Sequence, residues 1–596
     1  MLCSGKKVDI VKKGQKRPKV NLSELQEFLK VARGESPADV LLRGCQVVDV
    51  FTGEVRCANV AIKGTHIAGV GTGYTRAKTV VDIPGQYVAP GFIEGHIHIE
   101  SSLLSVGEFI RLCLINGTTT VVIDPHEIAN VLGVKGIEYI IRASRNMPVD
   151  VMIMVPSCVP ATVMESSGAK LGLKEVAKLL NHDRVIGLAE VMNYPGVILG
   201  DAELLGKLEL ARRAGKLIDG HCPGLTGLLL QAYVASGIGS DHESVGPQEM
   251  REKLRAGMRI FIREGSAAHN LTSLLPIVND FNLRRCSLVS DDRDPRDLLF
   301  DGHLNAVLQR AINAGVNPVA AIQMVTLNPA EYFRFYDRGA VAPGLRADLV
   351  VLESLSELQV RMVFKDGRLV ARNAEVLVKL PMIDDRQTRN TVRLKKIGIK
   401  DFAIKAEGEL CNVIRIIPGQ IITERHVQPA TIQKGLVVAD TGRDLLKIAV
   451  IERHRRTGRM GKGLVAGFGL KKGALATTVA HDAHNIIVVG TNDRDMLVAV
   501  RTLEKMGGGY VAVADGKVAA ALALPIAGLM SDQPARTVVA GLKKLLEKAH
   551  TWGCRLDNPF ITLSFLALPV IPELKITDQG LIDVNRFQPM GLFVEK

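Results

Sequence analysis

Eight apolar runs, each ending in polar residues and each followed by an amphipathic stretch, recur along this chain and limit its possible folds more than any other pattern in it. They read QYVAPGFIEGHIH, TTTVVIDPHE, DVMIMVPS, RVIGLAEV, KLIDGHCP, GIGSDHE, MRIFIREGS and CSLVSDD. Such an alternation is the mark of parallel strands covered by helices. Eight units over about 240 residues have the size of a (β/α)8 barrel, whose catalytic groups sit at the carboxyl ends of the strands. A doubly wound open sheet would bring a Gly-rich phosphate turn after its first strand, and none is present there.

The barrel pattern is flanked by two stretches of short strands and turns, one from about residue 38 and one at 339 to 370. Together they predict one small β-domain built from both sides. The expected fold class is α/β: a TIM-like barrel (89 to 338) inserted in a composite β-sandwich domain (38 to 88 with 339 to 384). An amino-terminal extension (1 to 37) precedes them. After about residue 385, strand-like LLKIAVIE and NIIVVGTND, a helix-like DRDMLVAVRTLEKM and a hairpin turning at Asp515-Gly516 predict a separate carboxyl-terminal α+β domain (385 to 596).

At 596 residues the chain has room for two to four domains. No apolar run is long enough to span a bilayer, and the basic amino end lacks the apolar core of a signal peptide. A cytoplasmic protein without a membrane partner is expected. Nine cysteines without a C-x-x-C pair argue against a disulfide framework. The net charge of +13 raises nucleic acid as a partner, but the positive stretches, residues 1 to 20 and ERHRRTGRMGKG (452 to 463), are not interleaved with aromatics. A solvated basic surface is the expected reading, and a nucleic-acid-binding protein with a vestigial barrel is the different-class rival.

Alternate residues of a strand share a face, so His96 and His98, at the end of the first run, project together into the barrel mouth. That is a chelating geometry. Glu190 closes the fourth run, His221 the fifth, His242 the sixth and Asp291 the eighth. Six ligand-type residues at five strand ends predict a site for a pair of divalent ions. Two close cations need a shared anionic ligand. Glu190 is expected to provide it, since its run ends without a lysine for carbamylation. HEIAN at 126 to 130 lacks the second histidine of a zinc-protease helix, and no H-x-E with a later P-C-x-x-C is present. GKGLVA (461 to 466) matches a dinucleotide-binding turn only weakly.

With these residues in place, the sequence resembles the amidohydrolase superfamily. The strings PGFIEGHIHIESS, IDPHEIANVLG, GLAEVMNYPGV, DGHCPG, SDHES and SDDR more narrowly resemble bacterial adenine deaminases, as do TVAHDAHNIIVVGTNDRDM and MGGGYVAV toward the carboxyl end. Carried over by position, the resemblance implies a two-metal site with His96, His98, Glu190, His221, His242 and Asp291 as ligands. It implies manganese, with iron or zinc as alternatives, and hydrolysis of adenine to hypoxanthine and ammonia. A homo-oligomer, a dimer, is expected with it. The nearest rivals are superfamily members that act on a cyclic amide or a different nucleobase.

Metal coordination brings the pKa of water to roughly 7, and attack at C6 then requires a proton at N1 and another at the leaving amine. Asp291 is assigned to take the proton of the attacking water and pass it to the amine. Glu243 is either the N1 donor or a carboxylate that orients a ligand histidine. Asp124, His126 and Glu127 at the second strand end either touch substrate or support the ligands. Ser101 and Ser102 either turn the chain or contact the purine. Arg263 and Glu264 either form an ion pair or read the purine edge. Asp292 is expected behind the ligands. In VAHDAHN, His481, Asp482 and His484 either close the site from the last domain or form an ordinary polar turn.

Overall fold

The computed structural model of the protein describes residues 21–266 and 268–594. The basic stretch 1 to 20 lies outside them. A helix, Leu22–Ala32, starts at Asn21, whose side chain accepts a hydrogen bond from Ser23 N at 3.1 Å.

The two β-rich flanks meet in one nine-stranded sheet. Its seam is the antiparallel pairing of Tyr87–Pro90 with Leu349–Leu352. Leu42, Val47, Val60, Ile62 and Val88 from the first flank pack with Leu349, Val351 and Phe364 from the second in one apolar cluster.

Eight parallel strands match the eight apolar runs: β1 Phe92–Ile97, β2 Thr118–Ile123, β3 Asp150–Val155, β4 Val185–Val191, β5 Leu217–Gly220, β6 Ser240–Asp241, β7 Arg259–Arg263 and β8 Cys286–Val289. Strands β1 to β5 pair in order, as do β6 to β8. The ring closes through Gly239 N to Ile218 O at 2.9 Å on one side and Asp291 N to His96 O at 3.0 Å on the other. The first apolar run proves to be two strands. Tyr87–Pro90 belongs to the composite sheet and Phe92–Ile97 to the barrel. Both are buried on both faces, so their hydropathy is continuous and hides the break between them.

Inside the barrel, Ile93, Val122, Met154, Ala189, Phe261 and Val289 form an apolar layer together with Tyr332, Phe333 and Phe335. This layer fills the floor and leaves the polar strand ends at the opposite mouth.

The last part of the chain builds an eight-stranded sheet in which Met460–Ala466, the GKGLVA stretch, is an antiparallel neighbour of Leu445–Ile451 and not a phosphate turn. Its helix Asp493–Met506 is capped by Asn492 and ends at Gly507 with φ +78°. The hairpin turns at Asp515 and Gly516, with φ +54° and +72°, as a two-residue type I′ loop requires. This sheet docks on the barrel mouth. Ser531 N donates to Leu103 O at 2.8 Å, and Asn485 Nδ2 donates to Ser166 O at 2.8 Å in the loop after β3.

Candidate active site at the barrel mouth

The strand ends bring His96, His98, Glu190, His221, His242 and Asp291 into one cluster, all but His221 less than a tenth exposed. His98 falls one residue past the end of β1, and the His96 and His98 rings stand 4.9 Å apart at 87°. His98 Nε2 is 3.2 Å from Asp291 Oδ1 and 3.4 Å from Glu190 Oε1. His96 Nε2 is 3.3 Å from Asp291 Oδ1. The second Glu190 oxygen, Oε2, lies 2.7 Å from His221 Nδ1 and 3.1 Å from His242 Nε2. One carboxylate thus faces two half-sites with one oxygen each, the arrangement expected of a bridging group.

The donor set fits divalent ions. Atoms bound to one ion at about 2.0 to 2.2 Å stand roughly 3 to 3.6 Å apart, as most of these do. His98 Nδ1 is 2.9 Å from Asp124 O, so Nδ1–H donates to the carbonyl and leaves Nε2 free for a ligand. Burial opposes charge on the imidazoles, yet hydrogen bonding to Asp291 and the charges of Glu190 and Asp291 hold His98 well above its ordinary pKa. His242 is pushed up to about 9 against burial, first by Glu190. Positive charge is drawn into this cluster. His96 is held below its ordinary value by burial and by His242, and its Nε2 has no hydrogen-bond partner. Asp291 adopts φ +57°, an uncommon conformation for a side chain other than glycine and typical of a functional position.

Arg263, at the end of β7, reaches into the site and is fully paired. Nη1 is 2.9 Å from Asp291 Oδ2 and also bonds Glu243 Oε1, Nη2 is 3.1 Å from Glu243 Oε2, and Nε is 3.2 Å from Asn270 Oδ1. Burial alone would push the Glu243 carboxyl up, but the charge of Arg263, with His221 and His242, holds it below its usual range.

Two of the substrate-contact expectations are corrected by the structure. Glu264 comes after Arg263 in strand phase and turns to the other side, where Oε1 accepts from Arg310 at 2.9 Å and pairs with His269 at 3.0 Å. Ser102 is buried in a turn with its hydroxyl donated to Ile99 O at 2.5 Å. Asp124 is buried beside His98, His126 and Glu190, with Oδ2 3.3 Å from His126 Nδ1, and neither of its oxygens has a hydrogen-bond partner. Ser101 sits between Glu127 Oε1, at 2.6 Å, and Asp292 Oδ1.

The VAHDAHN segment closes the site from above. His126 Nε2 is 3.7 Å from Asp482 Oδ1, His481 Nδ1 is 4.0 Å from Glu127 Oε1, and His484 Nε2 is 3.7 Å from Glu127 Oε2. This turn is held by the preceding basic stretch. The fully buried Arg453 donates to His484 O and Ala527 O, and His454 Nε2 is 2.8 Å from Ala483 O. Part of the basic run is therefore internal scaffolding. The cavity above the cluster is walled by Glu127, Met192, Ile421, Phe565, Leu568 and Ile571. The Phe565 ring stacks on His481 at 4.6 Å and 27°. These apolar residues carried no signal in the sequence, because single hydrophobic side chains in distant loops form no period.

Residues 87–370 match the model of the amidohydrolase family, and residues 420–588 match the adenine deaminase C-terminal domain. With the barrel and its histidine–carboxylate mouth, these matches define a metal-dependent hydrolase of the amidohydrolase class. The chain is 48% identical over 566 residues to an adenine deaminase of Dehalococcoides mccartyi, covering 95% of this chain and 99% of the relative. It is 47% identical to adenine deaminase 2 of Carboxydothermus hydrogenoformans, over 95% of this chain and 99% of the relative. It is also 47% identical to the enzyme of Methanothrix thermoacetophila, over 96% of this chain and the whole of the relative. The chain belongs to the adenine deaminase family. Among the described residues no helix is long and apolar enough to cross a membrane.

Proposed function

We propose that this protein converts adenine and water to hypoxanthine and ammonia, in purine salvage in the cytoplasm, with two divalent ions, manganese first among them. The observation that carries the reading is Glu190, whose two oxygens face two separate histidine groups. His96, His98, Asp291 and Glu190 would hold one ion, and Glu190, His221 and His242 the other. Ions bound there polarise water and lower its pKa to roughly 7.

The chain's own groups supply the rest. Asp291, next to the ring nitrogens of His96 and His98, takes the proton of the attacking water and delivers it to the departing amino group. Glu243, gripped by both Arg263 nitrogens, stays ionised and supports Asp291 and His242 rather than donating to N1. Glu127 is the better N1 donor. It lines the cavity, burial pushes its carboxyl above the usual range, toward the protonated form, and the second proton of the water restores the one it gives to N1. Phe565, Leu568, Ile571 and Ile421 pack on the purine, so the carboxyl-terminal domain provides the base-binding wall.

The test is metal analysis of purified protein combined with an ultraviolet assay on adenine, cytosine, guanine and cyclic amides. Two ions per chain and hypoxanthine formation from adenine alone are expected. Fewer than two ions together with no hypoxanthine, after manganese is supplied, would overturn the reading.

A further inference from the structure

Beneath the loops that carry His221 and His242 lies a buried ion cluster that has no part in the chemistry above. Lys253, on the helix Pro247–Arg255, is 0% exposed. Its ammonium makes three hydrogen bonds, to Cys222 O at 2.8 Å, Asp241 Oδ2 at 2.8 Å and Glu249 Oε1 at 2.7 Å. All three of its donors are used.

The partners in turn grip the backbone on either side. Asp241 Oδ1 accepts from Cys222 N at 3.0 Å, while Oδ2 accepts from Ser244 Oγ at 2.8 Å and Glu243 N at 3.2 Å. Glu249 accepts from Gly224 N at 2.8 Å and from Val245 N at 3.2 Å. The residue after His221 and the residue after His242 are thus both fastened to Asp241. The other anchor of the first loop is Tyr233, whose hydroxyl accepts from His221 N at 3.0 Å.

The first half-site is built differently. His96 lies within β1, and the His98 ring is oriented by its own bond to Asp124 O. His221 and His242, like His98, each follow a strand by one residue, but neither has a partner within its strand as His98 has His96, and the strand before His242 is only two residues long. Their rings are 5.3 Å apart and must converge on Glu190 Oε2 from two loops.

We infer that Lys253 is the positioning residue of the His221–His242 half-site: by locking the two loops together through Asp241 and Glu249, it sets the affinity of the second ion without touching it. Removing an ammonium from between two buried carboxylates lets the loops part, and the half-site loses its convergence while β1 keeps the first. The inference rests on the two-ion reading proposed above.

The test is manganese titration of the metal-free full-length protein, reading stoichiometry and stepwise affinity, for wild type, Lys253→Met and Glu249→Gln. Wild type takes up two ions. Lys253→Met is expected to keep the first ion's affinity and weaken the second about 10- to 100-fold, the range seen when outer partners of metal ligands are lost. Its turnover should return toward wild type as manganese is raised. Glu249→Gln, which keeps an acceptor oxygen, is expected to shift the second ion in the same direction by less. Folded Lys253→Met that binds both ions as wild type does, or that loses both equally, overturns the inference. Where Lys253→Met does not fold, unchanged second-ion affinity in Glu249→Gln overturns it. Wild-type protein that binds fewer than two ions instead fails the two-ion reading, before any variant is made.

Discussion

Replacing Phe565 with alanine removes the aromatic wall of the cavity while leaving every candidate ligand untouched. The ring is 9% exposed, stacks on His481 at 4.6 Å, and shares the wall with Leu568, Ile571 and Ile421. Base–aromatic stacking contributes about 1 to 3 kcal/mol by alanine substitution. Three aliphatic neighbours remain to cover part of the purine, so the lower part of that range applies. About 1 to 2 kcal/mol corresponds to a rise in KM of about 5- to 30-fold. The assay is steady-state adenine deamination recorded by ultraviolet absorbance, with metal content measured on the same sample. Expected are the rise in KM, kcat within about threefold of wild type and an unchanged metal content, with Phe565→Leu in between. An unchanged KM in a folded, metal-replete variant would refute the assignment of the base-binding wall to the last domain. Loss of kcat alone would refute it as well, by placing Phe565 with the reacting atoms.

Two further outcomes are expected. Glu127→Gln keeps the size and the hydrogen bonding of the side chain but has no acidic proton, so kcat should fall about 10²- to 10⁴-fold with metal content intact; full activity would move the N1 donor elsewhere. Lys575 is buried with its ammonium on Ile421 O at 2.7 Å and its pKa pushed down to about 7 by burial. An unfolded lysine titrates near 10.4, so between these values the unfolded chain holds the extra proton and stability rises with pH. The burial penalty is complete below pH 7 and fades toward 10.4. Lys575→Met should therefore gain thermal stability relative to wild type at pH 6.5 and lose that advantage by pH 9.5, and an equal difference at both values would refute the sign.

The barrel was legible because buried parallel strands write themselves as uninterrupted apolar runs, and because the fold gathers the carboxyl ends of all eight strands at one mouth. Strand phase placed His96, His98 and Arg263, and the same phase, read one residue further, would have turned Glu264 away. The parts that were not legible were set by tertiary contact. The break at Gly91 between two sheets leaves no mark on hydropathy, and the burial of Ser102 depends on the turn around it. The placement of Asp482 and Phe565 over the mouth depends on docking of the last domain, which brings in residues about 190 and about 270 positions further along the chain than Asp291. Nothing in sequence spacing reveals that the carboxylate and carbonyl partners of Lys253 converge beneath two loops.

The seam between Tyr87–Pro90 and Leu349–Leu352 also sets a timetable. The first of these strands leaves the ribosome with its partner still roughly 260 residues away, about 13 to 50 s of synthesis at ordinary rates. Throughout that interval the edge that will meet Leu349–Leu352 lacks its partner, although the other edge can pair with Ala38–Asp49, and the barrel strands accumulate without the sheet that will tie their two ends. A nascent chain of this architecture therefore needs protection for longest at its amino-terminal flank, where a chaperone or a slow codon run would matter most.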